Sequence, residues 1–290
     1  MSNSRMAVLD RRGVLAVGGP EAKNFLDGLL TVDVDAAAPG AAVFAGLLSP
    51  QGKVLFDFIV FSDGERYLLD MARDQIPAAV QRLTLFRLRA KVTFDDVSDT
   101  YDVVAVWGDG AADIPVDLAA ADPRLAALGG RVLVTETDGA VPGFTASDAA
   151  DYDRHRIALG VPEGGIDYAF GAVFPHDVDM DQLHGVDFDK GCFVGQEVVS
   201  RMKHRGTARR RIIMVAGAPL PASGTDLTAD GRAIGTLAST AGDTGLVMVR
   251  LDRAKEAMDA GTAILTDTTP VTLTIPPWAT FAWPGADAAE

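Results

Sequence analysis

Residues 189–197 read DKGCFVGQE and contain the only cysteine of a 290-residue chain. Gly191 and Gly195 flank the thiol at close range and permit backbone conformations and close approaches that other residues resist. Lys190 favours the thiolate of Cys192, which is the nucleophilic and metal-binding form of the side chain. The alternative is a small buried apolar residue before a helix, which describes most lone cysteines.

The residues after Cys192 have helical spacing, and we predict a helix from about Val194 to about His204. The thiol then lies at the helix N-terminus, where free N–H groups favour an anion. Asp187 and Asp189 oppose this effect, and the sequence places no histidine base beside the thiol. The residues alone therefore leave both readings of Cys192 open.

A basic segment follows the motif, since residues 201–211 hold six Lys or Arg. The whole chain is acidic, with 40 Asp or Glu against 26 Lys or Arg and a formal charge of −14. General binders of nucleic acids or anionic membranes are usually basic, so this charge predicts neither a stable nucleic-acid partner nor a membrane partner. The segment is interpreted as an anion site, a partner surface, or a solvated helix end before a charged edge strand, and the last is favoured.

The compartment is predicted from cysteine usage and from the N-terminus. One cysteine excludes an intramolecular disulfide framework and fits a reducing compartment. The first residues, MSNSRMAVLDRRG, lack the apolar core of a signal peptide. No stretch approaches the roughly 20 apolar residues of a membrane span. These features predict a cytoplasmic protein. The four histidines are scattered, so no metal site is predicted.

The pattern of elements changes near residues 206–210. Strands and helices are mixed before this point, and Ser49-Pro50-Gln51-Gly52 has the composition of a turn between two strands. From residue 209 onward, short segments with strand character recur between Gly and Pro turns, which indicates a small β-barrel. We therefore predict an α+β chain with one domain at 1–206 and a barrel at 207–290.

Asp57 is the second candidate functional residue. It lies in the predicted strand 53–61, where alternation places it on the face of Leu55, Ile59 and Phe61. A carboxylate among apolar neighbours is costly unless it is paired, and such positions are often functional. An aspartate on a solvent-facing edge, with the opposite face as the core, explains the pattern equally well.

Several segments resemble one protein family. Residues 190–206, KGCFVGQEVVSRMKHRG, resemble the signature of the YgfZ family of folate-binding proteins in iron–sulfur cluster assembly. Similar likenesses occur at 25–33 (FLDGLLTVD), 47–57 (LLSPQGKVLFD), 156–163 (RIALGVPE) and 187–191 (DFDKG). The family is related to the T-protein of the glycine cleavage system, an aminomethyltransferase that uses tetrahydrofolate. The resemblance implies a T-protein-like N-terminal region of two interleaved α+β subdomains and a C-terminal barrel around a folate-sized hole.

The resemblance also implies a function and a set of site residues. It implies a protein that binds tetrahydrofolate or a derivative and serves iron–sulfur assembly proteins or client enzymes, including those that thiolate tRNA. Cys192 is then a transient cluster ligand or redox group, because one thiolate cannot hold a cluster alone. Lys190 and Asp57 are the other candidate catalytic residues. The candidate folate-binding residues are Gly191, Phe193, Gly195, Gln196, Glu197 and Arg201. The anionic glutamate tail of folate is expected to meet residues 201–211 or Arg87, Arg89 and Lys91.

Three departures from T-protein separate the candidate functions. Only Asp57 falls in register with the acidic pair of T-protein. Where T-protein typically has Asn-Ala after the next strand, this chain has Asp70-Met71-Ala72. T-protein also lacks the cysteine of the motif. We therefore expect an accessory protein rather than a classical enzyme, and keep a folate-dependent aminomethyltransferase as the alternative. RNA binding through residues 201–211 is a third hypothesis, which the charge of −14 disfavours.

Overall fold

The structure is a computed structural model, and it describes residues 4–111, 114–135, 140–206 and 208–285. Thr207, at which the sequence predicts the second domain to begin, lies outside the described residues. The chain divides into two compact units: Met1–Tyr152 with Leu183–Val198, and Asp153–Gln182 with Val199–Glu290.

The regular elements follow in chain order. The strands are β1 (Arg5–Val8), β2 (Arg12–Gly18), β3 (Val43–Leu48), β4 (Val54–Ser62), β5 (Tyr67–Ala72), β6 (Thr93–Asp96), β7 (Asp102–Trp107), β8 (Ala119–Ala121), β9 (Gly130–Val134), β10 (Thr145–Ala146), β11 (Arg210–Ala216), β12 (Asp226–Ala229), β13 (Arg232–Ala241), β14 (Thr244–Arg250), β15 (Ile264–Thr266), β16 (Thr269–Pro270) and β17 (Thr272–Thr274). The α-helices are α1 (Ala22–Asp27), α2 (Ile76–Arg87), α3 (Ala149–Ala158), α4 (Gln196–Arg205) and α5 (Leu251–Asp259). Short 3₁₀ helices lie at Val34–Ala36, Arg73–Gln75, Ala126–Leu128 and Pro175–Val178. Each described helix is too short or too polar to cross a membrane.

The first unit contains two five-stranded sheets. One has the strand order β3-β4-β5-β2-β6 and the other has the order β10-β1-β7-β9-β8. The chain starts in the second of these sheets with β1, forms the first sheet with β2 to β6, and returns at β7. Two subdomains therefore interleave along the chain, and the predicted T-protein-like arrangement is confirmed.

Helix α2 shows how the sequence builds the core of the first sheet. Pro77 occupies its first turn, where a missing N–H costs nothing. Ile76, Ala79 and Leu83 are buried at helical spacing and form the inward face. They join a core that includes the strand residue Phe58. Burial on β4 is nearly continuous, so a charged side chain on this strand lies inside the protein.

The second unit contains a seven-stranded sheet with the order β16-β15-β12-β13-β14-β11-β17, which is a nearly closed barrel. Helix α5 packs onto it through Leu251, Ala254 and Ala257, which share one helical face. The small C-terminal barrel predicted from the strand spacing is thus confirmed.

Candidate functional site

The cysteine motif forms a loop that ends in α4. The predicted helix start at Val194 is wrong, because α4 begins at Gln196. Gly195 has a φ of +83°, which a right-handed helix excludes. Cys192 therefore lies before the helix rather than at its first N–H groups. Its thiol is free and exposed, whereas the adjacent Phe193 is buried.

Lys190 connects this loop to the end of α1 and to the segment that follows it. Its Nζ donates to the carbonyl oxygens of Asp27, Leu30 and Val32, each at 2.9 Å. An ammonium has three protons, so all its donors are used. Burial lowers the pKa of Lys190, and the carboxylates of Asp27, Asp33 and Asp187 oppose that effect. In this structure the side chain positions the loop, and a role in chemistry stays a prediction.

The two glycines of the motif differ in their surroundings. A Cβ built on Gly195 lies 2.6 Å from the carbonyl oxygen of Ser49 and 3.1 Å from the Cα of Gly52. Gly52 has a φ of +78°, as the predicted turn requires. A Cβ on Gly191 meets nothing within 4 Å. The turn that contains Ser49 and the motif therefore meet backbone to backbone at Gly195, while the cysteine side of the loop is open.

Asp57 belongs to a buried ion network on the first sheet. It is 4% exposed, and its Oδ1 lies 3.9 Å from an Nη of Arg12 on β2. The same guanidinium donates from Nε to Asp70 Oδ1 at 2.6 Å and from Nη2 to the Asp70 carbonyl at 2.8 Å. These contacts exclude the solvent-facing alternative for Asp57.

The network continues into the second sheet of the same unit. Arg131 on β9 donates to Asp70 Oδ2 at 3.1 Å and lies 3.6 Å from Asp122. The Arg124 guanidinium makes two hydrogen bonds to Asp122, and both arginines donate to the hydroxyl of Tyr152 at 3.1 Å. Burial alone would raise the pKa of Asp122, but Arg124 and Arg131 outweigh it and lower that pKa.

Among the described residues, these contacts join three aspartates to three arginines, so the six charges balance one another. A buried carboxylate that is already paired is a structural element first, because unpaired charges in the interior are costly. Sequence reasoning identified Asp57 but missed the other members, namely Arg12, Asp70, Asp122, Arg124, Arg131 and Tyr152. The one available signal was Asp70, which lies in the apolar strand RYLLDMA as Asp57 lies in its own.

The remaining predicted site residues lie in or beside α4. Gln196 is its first residue and is half-buried, while Glu197 and Arg201 are exposed. The Lys190 ammonium lies 5.7 Å from the centre of the Phe193 ring, which is cation–π range. The motif thus brings Lys190, Cys192 and Phe193 together, and Asp57 is held by the separate ion network.

The basic segment splits into a part that is at least half-buried and an exposed part. Arg210 donates to Asp177 at 2.6 Å. Arg211 donates to both carboxylate oxygens of Asp181, at 2.5 and 2.9 Å, and to Asp179 at 3.2 Å. These two arginines are therefore structural in the second unit. The exposed cations are Arg201, Lys203, Arg205 and Arg209.

Asp179 is a surplus carboxylate in this second cluster. It is fully buried, and its Oδ2 has no hydrogen-bond partner among the described residues. Burial raises the pKa of Asp179 well above its usual value, although Arg211 opposes the shift. A raised folded-state pKa means that the protonated form stabilises the fold below the unfolded pKa, and that this stability is lost as pH rises through the folded pKa.

Asp179→Asn is therefore expected to raise the free energy of unfolding at pH 8, because asparagine mimics the protonated acid and tolerates the φ of +60° at this position. The difference from the parent protein should shrink towards pH 4, near the ordinary pKa of aspartate. Urea unfolding from pH 4 to pH 8 measures it. Asp181→Asn is the control, since it breaks a paired carboxylate and should destabilise. A parent that is more stable than Asp179→Asn at pH 8 would contradict this account.

Comparisons with known proteins agree with this architecture. Residues 7–129 match the GCVT N-terminal domain, and residues 209–281 match the CAF17 C-terminal beta-barrel domain. The aminomethyltransferase T of the glycine cleavage system from Bartonella henselae has a similar structure, with a TM-score of 0.72 over 96% of this chain and 87% of that one. The two are 15% identical, so this likeness concerns the fold alone.

Relatives of higher identity are named as iron–sulfur cluster assembly factors. The chain is 34% identical to the mitochondrial iron–sulfur cluster assembly factor IBA57 of Homo sapiens, over 85% of this chain and 78% of that protein. It is 31% identical to the IBA57 homolog of Mycosarcoma maydis, over 98% of this chain and 86% of that protein. The predicted fold and the link to iron–sulfur cluster assembly are thus confirmed, whereas these relatives are IBA57 proteins and not specifically YgfZ proteins.

The cytoplasmic location predicted from the sequence is wrong by this comparison, because the relatives are named as mitochondrial proteins. The reducing environment that a lone cysteine indicates is one basis of that prediction. Cysteine usage reports the redox state of a compartment, and more than one compartment is reducing.

Proposed function

Because the chain belongs to the IBA57 family of iron–sulfur cluster assembly factors, we propose that it assembles or maintains iron–sulfur clusters with Cys192 as the reacting thiol. One observation carries the proposal: the thiol is exposed while its neighbours are fixed. Free cysteines are usually among the most buried residues. Here Phe193 is buried and Lys190 is bonded to three carbonyls, yet Cys192 faces outward.

The thiol acts with a partner rather than as a complete cluster site. Clusters are held by four ligands, and no group of three or more metal-binding side chains is assembled in the described part of the chain. A single thiolate supplies one ligand, so an assembly protein or a client iron–sulfur enzyme supplies the others. The thiol loses its proton on binding iron, because the thiolate is the metal ligand. Enzymes that thiolate tRNA are included among the proposed clients.

Folate binding is a second part of the proposal, supported by the aminomethyltransferase-like fold and the GCVT domain match. The predicted motif residues fit a folate poorly, because Gly195 is packed against Ser49 and Phe193 is buried. We propose Asp57 as a folate contact instead, because it is a buried carboxylate on the apolar strand β4. Tetrahydrofolate supplies a carrier for one-carbon groups when it is bound.

The thiol is tested by rescue of cells that lack their own protein of this family. Parent protein and Cys192→Ala are supplied at equal abundance, and the activity of an iron–sulfur enzyme that thiolates tRNA is read. We expect Cys192→Ala to support at least about tenfold less client-enzyme activity than the parent, because the thiolate is the metal-binding form of the side chain. Gly191→Ala is the matched control, because it changes the open side of the same loop. Equal rescue by Cys192→Ala would show that the thiol is structural.

The same assay separates the proposal from the aminomethyltransferase alternative. The fold favours that alternative, but Asp57 is engaged by Arg12 in the ion network. A transferase predicts that Asp57→Asn abolishes activity and that Cys192→Ala is mild. The proposal predicts that Cys192→Ala loses activity and that the effect of Asp57→Asn on activity is mild. It also predicts that Asp57→Asn binds tetrahydrofolate more weakly than the parent does. Aminomethyl transfer by the purified chain would favour the transferase.

A further inference from the structure

The C-terminal end of α2 exposes apolar side chains that the fold does not use. Leu85 is 65% exposed and Leu88, the residue after the helix, is 88% exposed. They are the two most exposed large hydrophobic residues of the described chain, and they lie three residues apart. Leu83 and Phe86 pack inward instead. Two neighbouring exposed leucines therefore form a small apolar tip.

Leu88 is also held in an unfavourable backbone conformation. Its φ is +45° and its ψ is −102°, a region that side chains with a Cβ rarely adopt. The chain reverses here, with the N–H of Ala90 donating to the carbonyl of Arg87 at 2.7 Å. Glycine would satisfy this turn without strain. A leucine in this position gains no burial from its own fold, and strained residues of this kind concentrate at functional sites.

Cations surround the tip. Residues 75–94 contain four Lys or Arg and no Asp or Glu, in a chain whose acidic residues outnumber the basic ones. Arg87, Arg89 and Lys91 are exposed and make no ion pair with any described residue. One carboxylate lies close, since Glu21 accepts the backbone N–H of Lys91 at 2.6 Å. The guanidinium carbon of Arg82 lies 5.1 Å from the centre of the Phe86 ring, so this cation packs against α2 beside the two leucines.

From this arrangement we infer that the α2 tip, defined as Leu85, Leu88, Arg87, Arg89 and Lys91, docks into an apolar socket bordered by carboxylates on a partner protein. A buried apolar centre with a charged rim is the usual anatomy of such interfaces. The unpaired cations specify acidic groups around the socket. This inference is independent of the proposed cluster chemistry.

A membrane surface and a small anion fit the tip less well. Two leucines are too small an apolar surface to anchor a protein, since stable anchoring takes two strong signals. A chain with a charge of −14 is also repelled by an anionic bilayer. A small anion such as the folate tail would use the three cations and leave the leucines without a role.

The test replaces Leu88 by a photoreactive benzoylphenylalanine in the full chain and irradiates it in extract from the native host. We expect a discrete protein adduct, absent when the probe is at Met258, another exposed apolar position. The adducted protein is identified, purified and titrated against the chain. Leu88→Gly and Arg89→Glu should each weaken this binding at least tenfold, and binding should weaken with added salt.

Leu88→Gly also separates docking from a structural role. It should keep or raise the thermal midpoint, because it relieves the positive φ. Asp230→Gly is the control, since Asp230 is exposed at a φ of +48° and should relieve strain without affecting binding. The inference is overturned by a lower midpoint for Leu88→Gly, by adducts only with a second copy of the chain, or by none. Co-sedimentation with phosphatidylserine vesicles that Leu88→Gly abolishes, or tetrahydrofolate binding that only Arg89→Glu weakens, would also overturn it.

Discussion

Asp70→Asn is expected to lower the free energy of unfolding by about 3–5 kcal/mol, the range for breaking a buried ion pair from one side. Asp70 is fully buried and accepts from Arg12 at 2.6 Å and from Arg131 at 3.1 Å. Asparagine keeps the shape but removes the charge that two buried guanidiniums share. Each arginine is then left partly uncompensated in the interior, which is where the cost arises.

Urea unfolding at pH 7 measures this loss, and Asp99→Asn is the control. Asp99 pairs with Arg73 at 2.9 Å, but it is fully exposed, so its loss should cost less than about 1 kcal/mol. Asp57 touches the same network at the longer distance of 3.9 Å. Asp57→Asn should therefore destabilise less than Asp70→Asn. Equal small losses for Asp70→Asn and Asp99→Asn would contradict the view that this network stabilises the fold.

The network also shows where sequence reasoning stops. Asp70 lies 58 residues from Arg12 and 61 from Arg131. Nothing in the local sequence pairs residues at such distances, because the pairing comes from two sheets whose strands interleave along the chain. Alternation along β4 does place Asp57 among apolar side chains. It does not reveal whether a guanidinium or water faces that carboxylate.

Elements that depend on neighbouring residues, such as turns and short strands, are predicted more accurately than the ion network. The turn at Ser49 and Gly52 follows from Pro and Gly chemistry, and the barrel follows from the spacing of short strands. The start of α4 was misplaced by two residues, because apolar spacing from Val194 ignores the positive φ of Gly195. The sequence predicts a solvated helix end before a charged edge strand in the basic segment, whereas Arg211 is buried with Asp179 and Asp181, and its strand β11 lies between β14 and β17. The carboxylates that pair with Arg211 come from the segment before α4, about 30 residues earlier in the chain. The pattern of neighbouring residues therefore does not reveal this pairing.

Gly195→Ala is expected to cost about 2–4 kcal/mol of unfolding free energy, from a positive φ and from a forced backbone shift. The φ of +83° disfavours any residue with a Cβ. The added Cβ would also lie 2.6 Å from the carbonyl oxygen of Ser49, and neither partner is a flexible side chain that can turn away. The turn and the motif must then separate.

Gly191→Ala is the matched control within the same motif. Its Cβ meets nothing within 4 Å and its φ is not positive, so its stability should stay within about 0.5 kcal/mol of the parent. Thermal and urea unfolding of both variants measure the contrast. The rescue assay adds a second readout, because a displaced loop moves Cys192 while leaving the thiol itself intact. Gly195→Ala should therefore support less client-enzyme activity than the parent, even when the two folded proteins are equally abundant. Parent-like stability of Gly195→Ala would mean that the turn at Ser49 does not hold the motif in place.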